Sequence, residues 1–359
     1  MIYRHILYAC VALASLPPNI RAADAMFHPK VVVVALFEVG ADTGDTPGEL
    51  QNWIEREHLD RVIPLPAAYH DVRMNADGSV IAIAAGMGNT NAAASVMALG
   101  LDPRFDLRRS YWLVAGIAGV DPADASLGSA VWADYVVDGD LSHEIDAREL
   151  PAGWETGYVP LGKTKPYEQP REVEGQPVGH AFKLNPALVN WAYSLTKDTP
   201  LADNTTLQKL RTRYTSTPNA QRPPFVLIGA NLAASTYWHG QLLDQWANAW
   251  TRYYTDGSGN FVTTAMEDSG VLRALENLTR AGRTDRERAL VLRTASNFDM
   301  PPPGGSAAAS LAGDTVDGYS AYLPALDAAH RVGSRVVHAI VENWKDFEQA
   351  APSAVATSP

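Results

Sequence analysis

Two adjacent segments set the fold class of this chain: SVIAIAAGMGNTNAAASVMALG (residues 79–100) and YWLVAGIAG (residues 111–119). Each contains a short, continuous apolar run that ends at glycine, which is typical of a strand buried on both faces. Between the two runs lies a segment of small residues with helical spacing. A strand, a helix and a strand in immediate succession predict a parallel pair with a right-handed crossover. The segments therefore favour an α/β fold.

The same alternation continues on both sides of these segments. Strands are predicted over residues 30–40, 130–137, 224–231, 261–266 and 289–296, and helices over residues 49–61, 186–196, 239–254, 267–275 and 322–347. The proline-rich residues 147–224 are interpreted as an elaborated insertion, and PPPGGSAAAS (residues 301–310) as a flexible loop. We expect one α/β domain over residues 26–347 and a disordered tail over residues 348–359.

The N-terminus predicts export. Arg4 and His5 precede an apolar run over residues 6–16, followed by prolines and small residues, a pattern typical of a cleaved signal peptide over residues 1–25. The run is too short for a membrane span, which needs about 20 residues. The only cysteine, Cys10, lies in this run, and lipid attachment there is the alternative. We expect a soluble periplasmic or secreted protein without a membrane span.

The formal net charge of −11 argues against a nucleic-acid partner, whose phosphates require a basic surface. A small or uncharged ligand is favoured. In a parallel sheet such a ligand binds outside the carboxyl ends of the strands. The residues that the sequence places at predicted strand ends are Glu38, Gly86, Gly88, Asn89, Gly116, Ala118, Asn231, Met266, Glu267, Ser296, Asn297 and Asp299. We expect them to meet in one crevice.

Each of these signals has a structural alternative. The loop GMGNTNAAAS resembles a phosphate-binding turn, yet it lacks the full GxGxxG pattern and a lysine, and small residues also suit a tight turn. Glu267 and Asp268 could cap a helix.

The segment STYWHG places three ring side chains in succession. Tyr237, Trp238 and His239 cannot all face one core, so at least one is expected to contact a ligand, although His239 could be structural. The cluster from His143 to Asp146 has no metal-ligand spacing, and no metal or cofactor is predicted.

Six segments carry a family resemblance: VVVVALFEVGADTG, AAGMGNTNAAAS, VAGIAGVDP, ASTYWHG, TAMEDSG and VLRTASNFDMPPPG. Together and in order they resemble the nucleoside phosphorylase/nucleosidase superfamily, and more closely its purine nucleoside permease (NUP) family, from residue 30 to about 347. The resemblance implies a three-layer α/β/α sandwich around a mixed, largely parallel sheet, and the alternating pattern supports the same layers. It also implies a purine nucleoside or free purine base as partner, and a possible homodimer.

The resemblance implies roles for particular residues. Met266 and Glu267 match the superfamily's ribose-binding pair. Ser296 and Asn297 match the Ser-Asp that holds the purine at N7. Asparagine cannot deliver a proton, so the acid role either weakens or passes to Asp299. The remaining base-binding candidates are Tyr237, Trp238, Gly116 and Ala118.

The predicted function is cleavage of the N-glycosidic bond of purine nucleosides by water. The arginines with which relatives bind phosphate have no visible counterparts, and the acidic Glu38 after the first strand could orient a water as general base. Two alternatives stay open. One is a nucleoside-binding protein that assists uptake without catalysis, and the other is a phosphate-dependent phosphorylase.

Overall fold

The computed structural model describes residues 26–169, 180–316 and 321–351, without the side chains of residues 314–316. The predicted signal peptide, with Cys10, lies outside the described residues. So do residues 170–179 of the predicted insertion and residues 352–359 of the predicted tail.

The described residues form a mixed central sheet and a separate two-stranded hairpin. The strands are β1 Val31–Ala35, β2 Arg61–Ile63, β3 Val72–Met74, β4 Val80–Ala84, β5 Tyr111–Val120, β6 Ala130–Asp138, β7 Ser142–Glu144, β8 Tyr158–Pro160, β9 Ala181–Lys183, β10 Val226–Ala233, β11 Phe261–Ala265 and β12 Ala289–Phe298. The order in the large sheet is β11-β10-β6-β12-β5-β1-β4-β3-β2, with β9 added to β6, and β7 pairs with β8.

Helices cover this sheet. They are α1 Gln51–Arg56, α2 Asn89–Leu101, α3 Pro186–Thr196, α4 Thr205–Arg211, α5 Gln241–Tyr254, α6 Asp268–Arg280, α7 Ala307–Val316, α8 Tyr322–Glu342 and α9 Trp344–Phe347. Helices α2 and α6 pack on each other, and α8 packs along β12 and β5. The predicted three-layer α/β/α sandwich is confirmed.

Strands β4 and β5 are parallel, as predicted, but they are not direct neighbours, because β1 lies between them. In β1, Val31 lies opposite Val80 of β4 and Tyr111 of β5, and both pairings are parallel. All five residues of β1 are buried, as expected for a strand covered on both faces. Close approach of α2 and α6 depends on Gly100, because a Cβ there would overlap the Leu278 side chain. Overpacking of this kind costs about 1–3 kcal/mol.

The carboxyl ends of three strands converge. Strand β5 is long enough for Val120 to pair with Thr263 of β11, in the antiparallel direction. Its Gly119 lies opposite Asn297 of β12, just after an irregularity in the register of β12. The ends of β5, β11 and β12 therefore surround one point, where the ligand was predicted to bind.

Two local predictions differ from the structure. Helix α7 begins at Ala307, inside the predicted flexible loop, because the run of alanines there favours a helix over the preceding Pro-Gly turn. The predicted helix over residues 322–347 is interrupted at Asn343. The described part of the predicted insertion adds β9 to the main sheet and packs α3 against α8.

Candidate functional site

Arg293 is the centre of the candidate site. It lies in the middle of the apolar strand β12 and is only 1% exposed. Its Nε donates to Asp268 Oδ2 (3.0 Å), its Nη2 to Glu267 Oε2 (2.9 Å), and its Nη1 to the carbonyl of Ile117 (3.0 Å). A buried guanidinium is stable only when its charge and donors are satisfied in this way. The strand thus holds a fixed cation at the convergence of the strand ends.

Glu267 and Asp268 mark the junction between β11 and α6. Neither of Glu267's oxygens makes a capping bond to α6; Oε2 accepts the N–H of Met266 (3.1 Å) and pairs with Arg293. Asp268 also accepts the Asn231 amide (2.8 Å), which in turn accepts the hydroxyl of Thr263 (2.9 Å). Helix capping therefore does not account for these acids.

Glu49 is the third acid of this group. Its Oε2 accepts the N–H of Leu36 (2.7 Å) and its Oε1 the N–H of Ile117 (2.7 Å). Burial raises the pKa of Glu49 to about 8, which Arg293 opposes and Glu267 reinforces. Burial also raises the pKa of Glu267, against the same guanidinium. We call Glu49, Glu267, Asp268 and Arg293 the arginine cluster.

Gly116 allows the arginine cluster to form. A Cβ at this position would lie 2.5 Å from Glu49 Oε1 and 2.6 Å from Arg293 Nη1. The predicted base-binding glycine thus lies between the acid and the guanidinium, where no side chain fits. Ala118, the other candidate on β5, accepts the Ser296 hydroxyl through its carbonyl (3.1 Å).

Glu38 lies outside the arginine cluster. Its carboxylate accepts backbone N–H groups from Gly48, Leu50 (2.9 Å) and Gln51 (2.6 Å), and so satisfies the loop and the start of α1. The acid from this region that reaches the strand ends is Glu49, which lies two residues before the first residue of α1. Because backbone N–H groups engage its carboxylate, Glu38 does not lie beside the ligand as predicted.

A cleft opens at the ends of β5, β11 and β12, and several predicted residues line it. The lining residues are Gly119, Thr236, Tyr237, Trp238, Thr264, Ala265, Met266 and Asn297. Trp238 is nevertheless 7% exposed and packs against Trp246 and Phe261, so most of its ring belongs to the core. Tyr237 is 37% exposed and is the aromatic residue of STYWHG that faces the cleft.

Asn297 lines the cleft, and the buried Ser296 lies beside it. The amide Nδ2 of Asn297 donates to the Tyr237 hydroxyl oxygen (3.0 Å) and to the carbonyl of Phe298 (3.1 Å). Its Oδ1 accepts the Ser296 hydroxyl (2.9 Å). Of the candidates at the end of β12 and just beyond it, Asn297 is the one that lines the cleft.

Asp299 lies behind the cleft in a second buried group of acids. Burial, and then the carboxyls of Asp244 and Asp121, raise the pKa of Asp299 well above its usual range. Burial and Asp121 likewise raise the pKa of Asp244 to about 8. Asp121 accepts the Asn248 amide (2.9 Å). We call Asp121, Asp244 and Asp299 the aspartate cluster. Asp299 therefore does not line the cleft at which it was predicted to act.

The glycine-rich turn before α2 connects that helix to α6. Gly86 and Gly88 have φ of 92° and 83°, which favours glycine. Asn89 accepts the N–H of Gly270 at the start of α6 (2.9 Å) and donates to Asp140 (2.8 Å). The turn therefore links α2 to α6, and the charged side chain that bonds to it is an acid.

Two further observations concern the described ranges only. No group of three or more His, Cys, Asp or Glu side chains in them is arranged to hold a metal ion, and His143 and Glu144 are exposed. No helix in these ranges has both the length and the apolar character needed to cross a membrane.

His239 is half-buried, and burial lowers its pKa.

Arg293, Glu49 and Asp268 had no predicted role in the site. Arg293 carries the clearest signal in hindsight, because ALVLRTAS places one charge inside an apolar strand. Such a charge is buried only with acidic partners. Glu49 carries no comparable signal, since acids before helices are common caps.

Comparisons with known proteins place the chain among relatives. The model of the purine nucleoside permease (NUP) family matches residues 28–352. A probable purine nucleoside permease of Schizosaccharomyces pombe is 29% identical over 96% of this chain and 99% of its own length. A purine nucleoside permease of Candida albicans is 31% identical over 89% of this chain and 77% of its own length.

Solved structures share the fold. A 5'-methylthioadenosine/S-adenosylhomocysteine nucleosidase of Helicobacter pylori has a TM-score of 0.52 and 12% identity, covering 87% of this chain and 98% of its own. A futalosine hydrolase of the same organism has a TM-score of 0.51 and 12% identity, covering 86% and 97%. At this identity the likeness shows the fold alone. By the family match, the chain belongs to the purine nucleoside permease (NUP) family.

Proposed function

We propose that this protein binds purine nucleosides and hydrolyses their N-glycosidic bond. The observation that carries the proposal is the arginine cluster, in which Glu49 and Glu267 lie beside one buried guanidinium at the convergence of three strand ends. Hydrolysis needs an anion near the sugar and a base for water. The fold shared with nucleosidases and the family's name support a nucleoside as ligand.

Glu267 is the proposed sugar ligand. It directly follows Met266, which lines the cleft, and it is 5% exposed. As the bond from C1′ to the base breaks, its electron pair leaves with the base and the sugar becomes positively charged. A carboxylate fixed by Arg293 and a backbone N–H in a dry setting stabilises that charge without reorganisation.

Glu49 is the proposed base for the attacking water. The water oxygen forms the new bond to C1′, and one of its protons passes to the Glu49 carboxylate. The N–H groups of Leu36 and Ile117 hold that carboxylate in place, and each oxygen keeps a lone pair for the water. A pKa of about 8 makes the ionised form a stronger base than an ordinary glutamate.

Water suits this site better than phosphate. The guanidinium of Arg293 already bonds to Glu267 and Asp268, and Glu49 adds a third carboxyl. A phosphate dianion would meet these acids at close range, whereas a neutral water meets donors and acceptors. This charge arrangement supports hydrolysis over phosphorolysis.

A binding protein without catalysis is the second candidate. The observation in its favour is that both curated relatives are named purine nucleoside permeases. In that case the same cleft would hold a nucleoside for a separate carrier. Export and pairing of two copies stay predictions, which cell fractionation and analytical ultracentrifugation would test.

The test is product identification with purified protein. Inosine is incubated with and without phosphate, and the sugar is identified by mass spectrometry, with Glu49→Gln as the matched variant. We expect ribose at a phosphate-independent rate, and a loss of about a hundredfold or more in the variant. Ribose 1-phosphate formed only with phosphate would overturn hydrolysis. Calorimetric binding of inosine without any product would favour the second candidate.

A further inference from the structure

The proposed reaction lacks an obvious proton donor for the leaving base. The residue at the end of β12 that lines the cleft is Asn297, whose amide cannot act as an acid. Asp299 keeps both carboxyl oxygens buried within the aspartate cluster, and neither Asp299 nor His239 lines the cleft. Among the described residues that line the cleft, the donor must be a side chain with an acidic hydrogen.

The orientation of the Asn297 amide identifies that side chain. The atom that lies 3.1 Å from the Phe298 carbonyl must be the NH₂ group, because two oxygens would repel each other there. The Ser296 hydroxyl, 2.9 Å from Oδ1, agrees with this assignment. The second amide hydrogen then points at the Tyr237 oxygen, 3.0 Å away.

This contact restricts the direction of the hydrogen on the Tyr237 hydroxyl. Since the amide donates to the phenol oxygen, the phenol's own hydrogen cannot lie along the same line. Tyr237 stands 37% exposed at the cleft, next to Thr264 and Met266, so its hydroxyl borders the space between the ribose ligands and Asn297. A base attached to a sugar held at Glu267 would occupy this space.

We propose that Tyr237 is the catalytic acid that protonates the departing purine, and that Asn297 positions it. The proposal rests on the proposed hydrolase function. When the bond to C1′ breaks, the base takes the electron pair and the phenol proton moves to a ring nitrogen of the base. The Asn297 N–H then stabilises the phenolate oxygen. Water supplies the hydroxyl of the sugar, and its proton passes from Glu49 through solvent to restore Tyr237.

The experiment compares two leaving groups. Inosine needs a proton on its base, whereas 4-nitrophenyl β-D-ribofuranoside releases a stable anion and needs none. Tyr237→Phe should lower turnover of inosine about a hundredfold or more and leave turnover of the nitrophenyl riboside within about threefold. Adding Asn297→Asp to Tyr237→Phe should recover at least about tenfold of the inosine rate, because a carboxyl group then faces the base.

The matched control is Tyr253→Phe, which removes a hydroxyl that donates to the Glu168 carbonyl (2.8 Å). It should match the wild type on both substrates. Equal losses on both substrates in Tyr237→Phe, at an unchanged melting temperature, would overturn the proposal and leave the hydrolase function intact. A wild type that cleaves neither substrate would overturn the hydrolase function, and the proposal with it.

Discussion

The arginine cluster and the aspartate cluster lie near the same strand ends, and each buries three acids. In the first, Arg293 bonds to two of the acids and lowers the cost of ionising Glu49. In the second, within the described part of the chain, the acids have amide, backbone and carboxyl neighbours and no lysine or arginine partner. The same residue type thus lies in two opposite electrostatic settings.

The difference lies in which form of its acids each cluster favours. Arg293 favours the charged form of Glu267, which the proposed reaction needs beside the sugar, while burial raises the pKa of that carboxyl. Without a cation beside them, burial raises the pKa of Asp244 to about 8 and that of Asp299 well above its usual range. The surroundings of the second cluster therefore favour the protonated forms of its acids.

Removing the cation should have the largest effect. Arg293→Met leaves Glu267 and Asp268 buried without their partner, which costs about 3–5 kcal/mol of unfolding free energy, and turnover should be lost. Urea unfolding measures the first effect. The control is Arg211→Met, because Arg211 is equally buried but pairs with the more exposed Asp203 and should cost less. Equal losses of unfolding free energy in the two variants would contradict the claim that Arg293 stabilises more buried acid than Arg211 does.

Neutralising one acid of the arginine cluster should affect rate more than stability. Glu267→Gln keeps an acceptor for Arg293 and removes the charge that stabilises the sugar cation. We expect kcat/KM for inosine to fall about a hundredfold or more, with little change in melting temperature. Unchanged turnover of inosine in Glu267→Gln would show that Glu267 has only a structural role.

The aspartate cluster should make stability pH-dependent. Folding raises the pKa of Asp244 to about 8, so the folded state binds more protons than the unfolded state between about pH 4 and 8. The free energy of unfolding therefore falls as pH rises through this window, by at most about 1.4 kcal/mol per pH unit and proton. Asp244→Asn should flatten the decline in urea titrations. A variant that keeps the wild-type slope would show that the cluster does not bind these protons.

The smallest effect is expected at Glu38. Glu38→Gln keeps one acceptor for the backbone N–H groups before α1 and loses the rest, at a cost of about 1 kcal/mol. Thermal unfolding should detect this loss, while inosine turnover stays at the wild-type level. A large fall in turnover without a fall in stability would instead support the original assignment of Glu38 as base.

Much of the fold was predictable because local signals agreed with it. The buried β1 and β4 are continuous β-branched or apolar runs, and the small residues of α2 match its close contact with α6. The short strands β2 and β3 escaped prediction because three-residue strands carry too little periodicity.

The site was predictable only in part. Met266, Asn297 and Tyr237 line one cleft, since each lies at or shortly after the carboxyl end of a strand, and the topology fixes those ends. Glu38 and Glu49 could not be told apart, because the choice depends on which carboxylate meets backbone N–H groups and which meets Arg293 across the fold. Such pairings between distant segments leave no local pattern.

The most direct test of the central claim, that Glu49 activates water, is the pH dependence of kcat/KM for inosine in the wild type and in Glu49→Gln. Because the ionised form is the base and its pKa is about 8, wild-type kcat/KM should rise about tenfold per pH unit below that value and level off above it. Glu49→Gln should be slower by about a hundredfold or more and lose this rise. A wild-type profile without the rise, or a variant that retains both rate and rise, would contradict the account.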